Sequence, residues 1–82
     1  MTRTYRVTIT RKSGLSDPEG ATTRKALNDL GFDAVESVSF GRILTIDIEA
    51  ETDEAARLGL DAMCSKLLAN PVMENHAIEE IT

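Results

Sequence analysis

The chain has 82 residues, with 9 Lys and Arg against 14 Asp and Glu, a formal net charge of −5 and an isoelectric point near 4.7. This length makes one small domain, residues 1–82, that buries only about 60% of its unfolded surface, and Tyr5, Phe32 and Phe40 are its only aromatic residues. One cysteine and one histidine rule out a disulfide framework and argue against a zinc site of cysteines or histidines, while 41% hydrophobic and 28% charged residues are globular rather than disordered usage.

In chain order, Tyr5, Val7 and Ile9 alternate with Arg6, Thr8 and Thr10, a strand with one apolar face. Lys12-Ser13-Gly14 ends it. Asp17-Pro18-Glu19-Gly20 then reads as a helix start: Asp17 suits the N-cap, Pro18 the first helical position, and Glu19 the positive helix end. Ala26, Leu27 and Leu30 form a narrow stripe on a helix of about 18–30. Leu30-Gly31-Phe32 stops it, with Gly31 in the left-handed position and Phe32 folding back.

Val35, Val38 and Phe40 are apolar at irregular spacing, which predicts a bulge or bend. Leu44, Ile46 and Ile48 then alternate cleanly. Residues 35–49 are thus one bent strand or a hairpin broken near Gly41. Thr52-Asp53-Glu54 opens a second helix whose stripe is Ala56, Leu60, Met63 and Leu67, widened by Leu58, Ala62, Cys64 and Leu68. Asn70-Pro71 ends it, and residues 72–81 alternate weakly as a last strand. The expected class is α+β, in the order β-α-β(β)-α-β. A three- to four-stranded, mainly antiparallel sheet carries both helices on one face. Val35, Val38, Phe40 and Ile43 exceed what one sheet face needs, which points to a second buried surface supplied by self-association.

The charge is unevenly placed. Residues 1–42 carry seven basic and five acidic groups, and residues 43–82 carry two basic and nine acidic. One reading is a solvated surface; the other sets the basic strand with Arg3, Arg6 and Arg11 beside acidic strands, within the chain or between chains.

No constellation of residues forms a self-sufficient active site. Cys64 lies at helical spacing from Leu60, Leu67 and Leu68, the pattern of a buried structural thiol. His76, near the chain end, reads as a surface or interface residue. Gly14, Gly20, Gly31 and Gly41 do not match a phosphate-binding spacing. The carboxylates are spread over helix starts and outward strand positions rather than paired for metal or acid–base work. Without a basic cluster, nucleic acid is a poor partner. No apolar run is long enough to span a membrane. No apolar leader precedes the first strand, and a free thiol without an export signal fits the cytoplasm.

Three segments together resemble one family. The first is Gly14-Leu15-Ser16-Asp17-Pro18-Glu19-Gly20, continuing to Ala26-Leu27. The second is Leu30-Gly31-Phe32 with Val35, Val38 and Gly41-Arg42. The third is Met63-Cys64-Ser65-Lys66-Leu67-Leu68-Ala69-Asn70-Pro71-Val72-Met73-Glu74. They resemble PurS, the small subunit of phosphoribosylformylglycinamidine synthase. Glu19, Arg42 and Met73 stand where that family usually has Gln, Lys and Ile.

The resemblance implies a PurS-like fold and a subunit without catalytic, cofactor or metal residues of its own. It implies an enzyme of purine biosynthesis that converts formylglycinamide ribonucleotide, ATP and glutamine to the amidine. A large synthetase subunit and a glutaminase subunit would use the ATP, Mg and glutamine. The small subunit would help assemble them, support ammonia transfer, and self-associate as a dimer or tetramer. Gly14, Asp17, Pro18, Gly20, Arg42, Asn70, Pro71 and Glu74 are the candidate interface residues. Equally, Asp17-Pro18 and Asn70-Pro71 serve only to start and stop helices. The rival reading is an ACT-like domain that binds a small regulatory molecule at a loop containing Gly14.

Overall fold

The computed structural model describes residues 1–81. Its elements are β1 (Thr2–Arg11), α1 (Pro18–Asp29), β2 (Gly41–Glu49), α2 (Asp53–Met63) continued by a π turn at Cys64–Leu68, and β3 (Glu74–Glu80). The sheet order is β2-β1-β3, and β1 runs antiparallel to both neighbours. This is the α+β class expected, with three strands and two helices.

The alternation in β1 sets the core. Tyr5, Val7 and Ile9 share one face and are fully buried. Val7 stands opposite Leu44 on one side and Ile78 on the other, and Tyr5 stands opposite Ile46. Across this face lie α2, whose Ala56 and Leu60 are also fully buried, and the start of the π turn, with Cys64 fully buried. Burying a side chain of Val or Leu size contributes about 1.5–3 kcal/mol, so these few residues carry most of the packing. The Thr52 hydroxyl caps α2 by accepting from the Ala55 N–H at 3.1 Å. At Gly59 an added Cβ would make only ordinary contact, 3.6 Å from Ile48 Cδ1.

The far end of α2 departs from the stripe expected. A regular helix would bring Leu67 round beneath Leu60 and Cys64. Instead the Ala69 N–H donates to the Cys64 carbonyl at 3.0 Å, closing a wider turn. One more residue fits into that turn, so Leu68 and Ala69 pack on the core and Leu67 is left 82% exposed.

The first helix differs from expectation more strongly. Of α1 only Gly20 is buried, and none of its residues joins the core. Residues 35–40 form no strand; β2 begins at Gly41, so the strand is single and follows a length of irregular chain. That chain runs back along α1. Asn28 Nδ2 donates to the Phe32 carbonyl at 2.9 Å, and Arg24 Nε to the Val35 carbonyl at 3.3 Å. The helix stop is as expected: Gly31 has φ of 103°, and the Phe32 N–H donates to the Leu27 carbonyl at 3.0 Å.

Together α1 and residues 30–40 form an arm. The molecule measures 51 × 26 × 14 Å, with a radius of gyration of 16.3 Å, against about 12 Å for a rounded domain of this length. Of the four surplus apolar residues only Ile43 stands on the outer sheet face, while Val35, Val38 and Phe40 belong to the irregular chain of the arm. Leu15, Leu30, Phe32 and Phe40 are exposed on or beside the arm. The outer sheet face carries Thr4, Arg6, Thr8, Thr45, Asp47 and Glu79, with Ile43 its large exposed apolar residue.

Candidate functional site

Seven of the eight candidate residues gather where the arm meets the sheet. This end is shared by the last residue of β1 and the first residues of β2 and β3: Thr10 pairs with Gly41, and Arg11 with Glu74. Gly14 is the exception. It takes φ of 83° in the turn after β1, with open space around it.

Asp17 is a lock rather than a simple cap. One carboxylate oxygen accepts the Gly20 N–H at 2.9 Å, closing the helix start. The other accepts the Phe40 N–H at 2.8 Å, so the root of α1 is tied to the chain entering β2. Pro18 supplies the fixed first helical position. Gly20 lies against the Val38 backbone. The Phe40 N–H bond, followed by the Gly20 one, holds the Asp17 carboxyl below its usual range.

The second group is a clamp on the turn before β3. Arg42 donates to both Glu74 oxygens, at 2.8 and 3.1 Å, and to the Leu68 carbonyl at 2.7 Å. Glu74 also accepts the Asn70 N–H at 2.8 Å, and its own N–H returns to the Asn70 carbonyl at 2.7 Å. Asn70 Oδ1 accepts from the Val72 N–H at 3.1 Å, so the residue shapes the turn around Pro71. Arg42 first, and then the Asn70 N–H, holds the Glu74 carboxyl low. The clamp joins β2, β3 and the end of the π turn through one forked guanidinium.

Asp17, Gly20, Arg42, Asn70 and Glu74 are thus committed to internal contacts. They shape this end of the molecule, and Arg42 and Asn70 remain exposed there together with Pro18, Pro71, Val72 and Phe40. Sequence reasoning missed Phe40 as a partner of Asp17, because that bond is made by a backbone N–H. It also passed over Arg11, visible in the sequence as the last arginine of a basic strand.

Other titratable groups are also engaged. His76 Nε2 lies 2.7 Å from Asp61. The Tyr5 hydroxyl donates to Asp53 at 2.8 Å, and Arg57 both pairs with Asp53 and stacks over the Tyr5 ring. The Cys64 thiol is buried, which pushes its pKa up and makes it a poor nucleophile. Among the described residues no group of His, Cys, Asp and Glu could hold a metal. Nor is any helix among them long and apolar enough to cross a membrane.

Residues 4–81 match the family model PurS, phosphoribosylformylglycinamidine (FGAM) synthase. The chain belongs to the PurS family. It is 49% identical over 72 residues to the phosphoribosylformylglycinamidine synthase subunit PurS of Archaeoglobus fulgidus, covering 88% of this chain and 90% of that one. Its fold is similar to the crystal structure of Methanocaldococcus jannaschii PurS, with a TM-score of 0.84, 38% identity, and coverage of 100% and 98%. It is also similar to a chain in the structure of PurLQS from Thermotoga maritima, with a TM-score of 0.89, 26% identity, and coverage of 99% of each chain. In this PurS-family chain the Asp17 lock and the Arg42–Glu74 clamp give physical roles to residues of all three segments that carry the resemblance.

Proposed function

We propose that this chain is the non-catalytic small subunit of phosphoribosylformylglycinamidine synthase in purine biosynthesis. It helps assemble the synthetase and glutaminase subunits and supports ammonia transfer between them. ATP, Mg and glutamine are used by those partners, and this chain holds no cofactor. Its place of work is the cytoplasm, and it self-associates as a dimer or tetramer.

The observation that carries this reading is the full-length likeness to a chain of the PurLQS complex, joined to the form of the arm. Leu30 is 74% and Phe32 58% exposed on an element that adds nothing to the core. Apolar residues held out in this way are what an assembly subunit needs and a lone domain does not. The ACT-like alternative is not favoured, since the family match and the similar proteins over nearly the whole chain are PurS.

Reconstitution tests the proposal. Glutamine-dependent amidine formation by the synthetase and glutaminase is expected to fall to background when this chain is left out. Full activity without it would overturn the assignment.

A further inference from the structure

Of the six arginines on the chain, five have an acceptor for the guanidinium. Arg3 reaches Glu80, Arg6 reaches Glu79, Arg42 reaches Glu74, Arg57 reaches Asp53, and Arg24 reaches the Val35 carbonyl. Arg11 has no hydrogen bond or ion pair to its side chain among the described residues, and its Nε is buried without a partner. Arg3 Nε is unpartnered too, but the terminal nitrogens of Arg3 reach Glu80 and the Glu51 carbonyl.

Arginine does not shed its proton, so half-buried donors without an acceptor are costly. Three carboxylates around Arg11 do not answer them: Glu19 lines the same cleft without a bond to Arg11, and the other two are engaged elsewhere. Asp17 and Glu74 act on Arg11 through their charge, while their oxygens accept from Gly20, Phe40, Arg42 and Asn70. The side chain instead lines a cleft of ≈ 200 Å³ with Glu19, Phe40, Gly41, Arg42 and Glu74. The cleft lies between the Asp17 lock and the Arg42–Glu74 clamp, so its walls are fixed in advance of any ligand.

We propose that this cleft receives an acidic side chain of a partner subunit. The guanidinium of Arg11 forms a forked pair of hydrogen bonds to the carboxylate, and the half-exposed Phe40 ring packs on its apolar stem. The inference rests on reading the chain as an assembly subunit. A second copy of the chain is the poorer source. Nine of its 14 acidic side chains already hold a donor, namely Asp17, Asp29, Asp47, Glu49, Asp53, Asp61, Glu74, Glu79 and Glu80.

The test measures assembly of wild-type, R11Q, R11K and K66Q chains with the synthetase and glutaminase, alongside the melting temperature and oligomeric state of each isolated chain and the melting temperature of R42Q. R11Q is expected to assemble at least ~10-fold more weakly with little change in melting temperature, because no internal hydrogen bond is lost and only the charge attraction to Asp17 and Glu74 goes. R11K should fall between R11Q and wild type, and K66Q should match wild type. Assembly by R11Q within twofold of wild type overturns the proposal. So does a fall in melting temperature as large as that of R42Q, which loses internal bonds, or an altered oligomeric state of isolated R11Q, which would assign Arg11 to the fold or to a second copy. A wild-type chain that assembles with neither subunit overturns the assembly reading itself, and the proposal with it.

Discussion

Gly20 sits where a side chain would strike backbone. A Cβ there would lie 1.9 Å from the Val38 carbonyl oxygen. Gly20→Ala is therefore expected to push residues 38–40 off α1 and to break the Asp17–Phe40 bond. The cost should be about 1–3 kcal/mol, read by urea denaturation. An alanine variant as stable as wild type would refute the close approach. Asp17 and Glu74 make a second prediction, in pH. Both carboxyls are held below their usual range. The stability they contribute is present above the unfolded values, about 3.9 and 4.3. It is lost as pH falls below those through the depressed folded values. Acid titration should loosen the arm root in wild type, and Asp17→Asn should flatten that part of the curve. An unchanged profile in the variant would count against the lock.

At the scale of an element, α2 and its π turn decide which leucines hold the fold. Leu60 is fully buried beside Tyr5 and Ala56, so Leu60→Ala should cost about 2–5 kcal/mol. Leu67→Gln should change stability by no more than about 0.5 kcal/mol, because the wider turn leaves Leu67 in solvent. Paired denaturation curves check both at once; equal losses would mean that the helix is regular and that Leu67 lies in the core. The arm shows the same logic in reverse. Its start and stop were legible from Asp17, Pro18 and Gly31, because capping depends on neighbours within a few residues. That Ala26 and Leu30 remain exposed was not legible, since a stripe at helical spacing says that a helix can pack and not whether anything lies beneath it.

At the scale of the whole molecule, the core is one sheet face under one helix, with an arm attached at one end. The arm has few buried contacts, and its exchange with water should reflect local opening. In the isolated chain, amides of α1 are expected to exchange deuterium at a lower free energy than those of β1, and to gain protection on assembly with the partner subunits. Equal protection of α1 and β1 in the isolated chain would mean that the arm is not a separate unit. The charges also take their place at this scale. Central β1 holds Arg3 and Arg6, and acidic residues lie on the β3 flank: Arg6 pairs with Glu79, with which it is in register, and Arg3 pairs with Glu80. The uneven charge along the chain becomes a cross-strand pairing within it, each pair contributing roughly 0.2–1 kcal/mol. At the exposed Arg6–Glu79 pair it serves register more than stability.

The sequence by itself determined the class, the order of the elements, the family and the local punctuation. Each rests on neighbouring residues: the alternation of Tyr5, Val7 and Ile9, the Asp17-Pro18 start, the Gly31 stop. Only the tertiary structure decided that α1 leaves the core, that Leu67 points outward, and that Arg11 has no acceptor. Those depend on what lies across space from each residue. Residues 38–40 run back to Gly20 and Asp17, and the Cys64–Leu68 turn takes up one extra residue. Two carboxylates stand beside Arg11 with their oxygens already engaged. The small size and scarce aromatic content noted at the outset thus belong to a chain whose core occupies only part of its length. The remainder forms surface held in shape by the lock and the clamp.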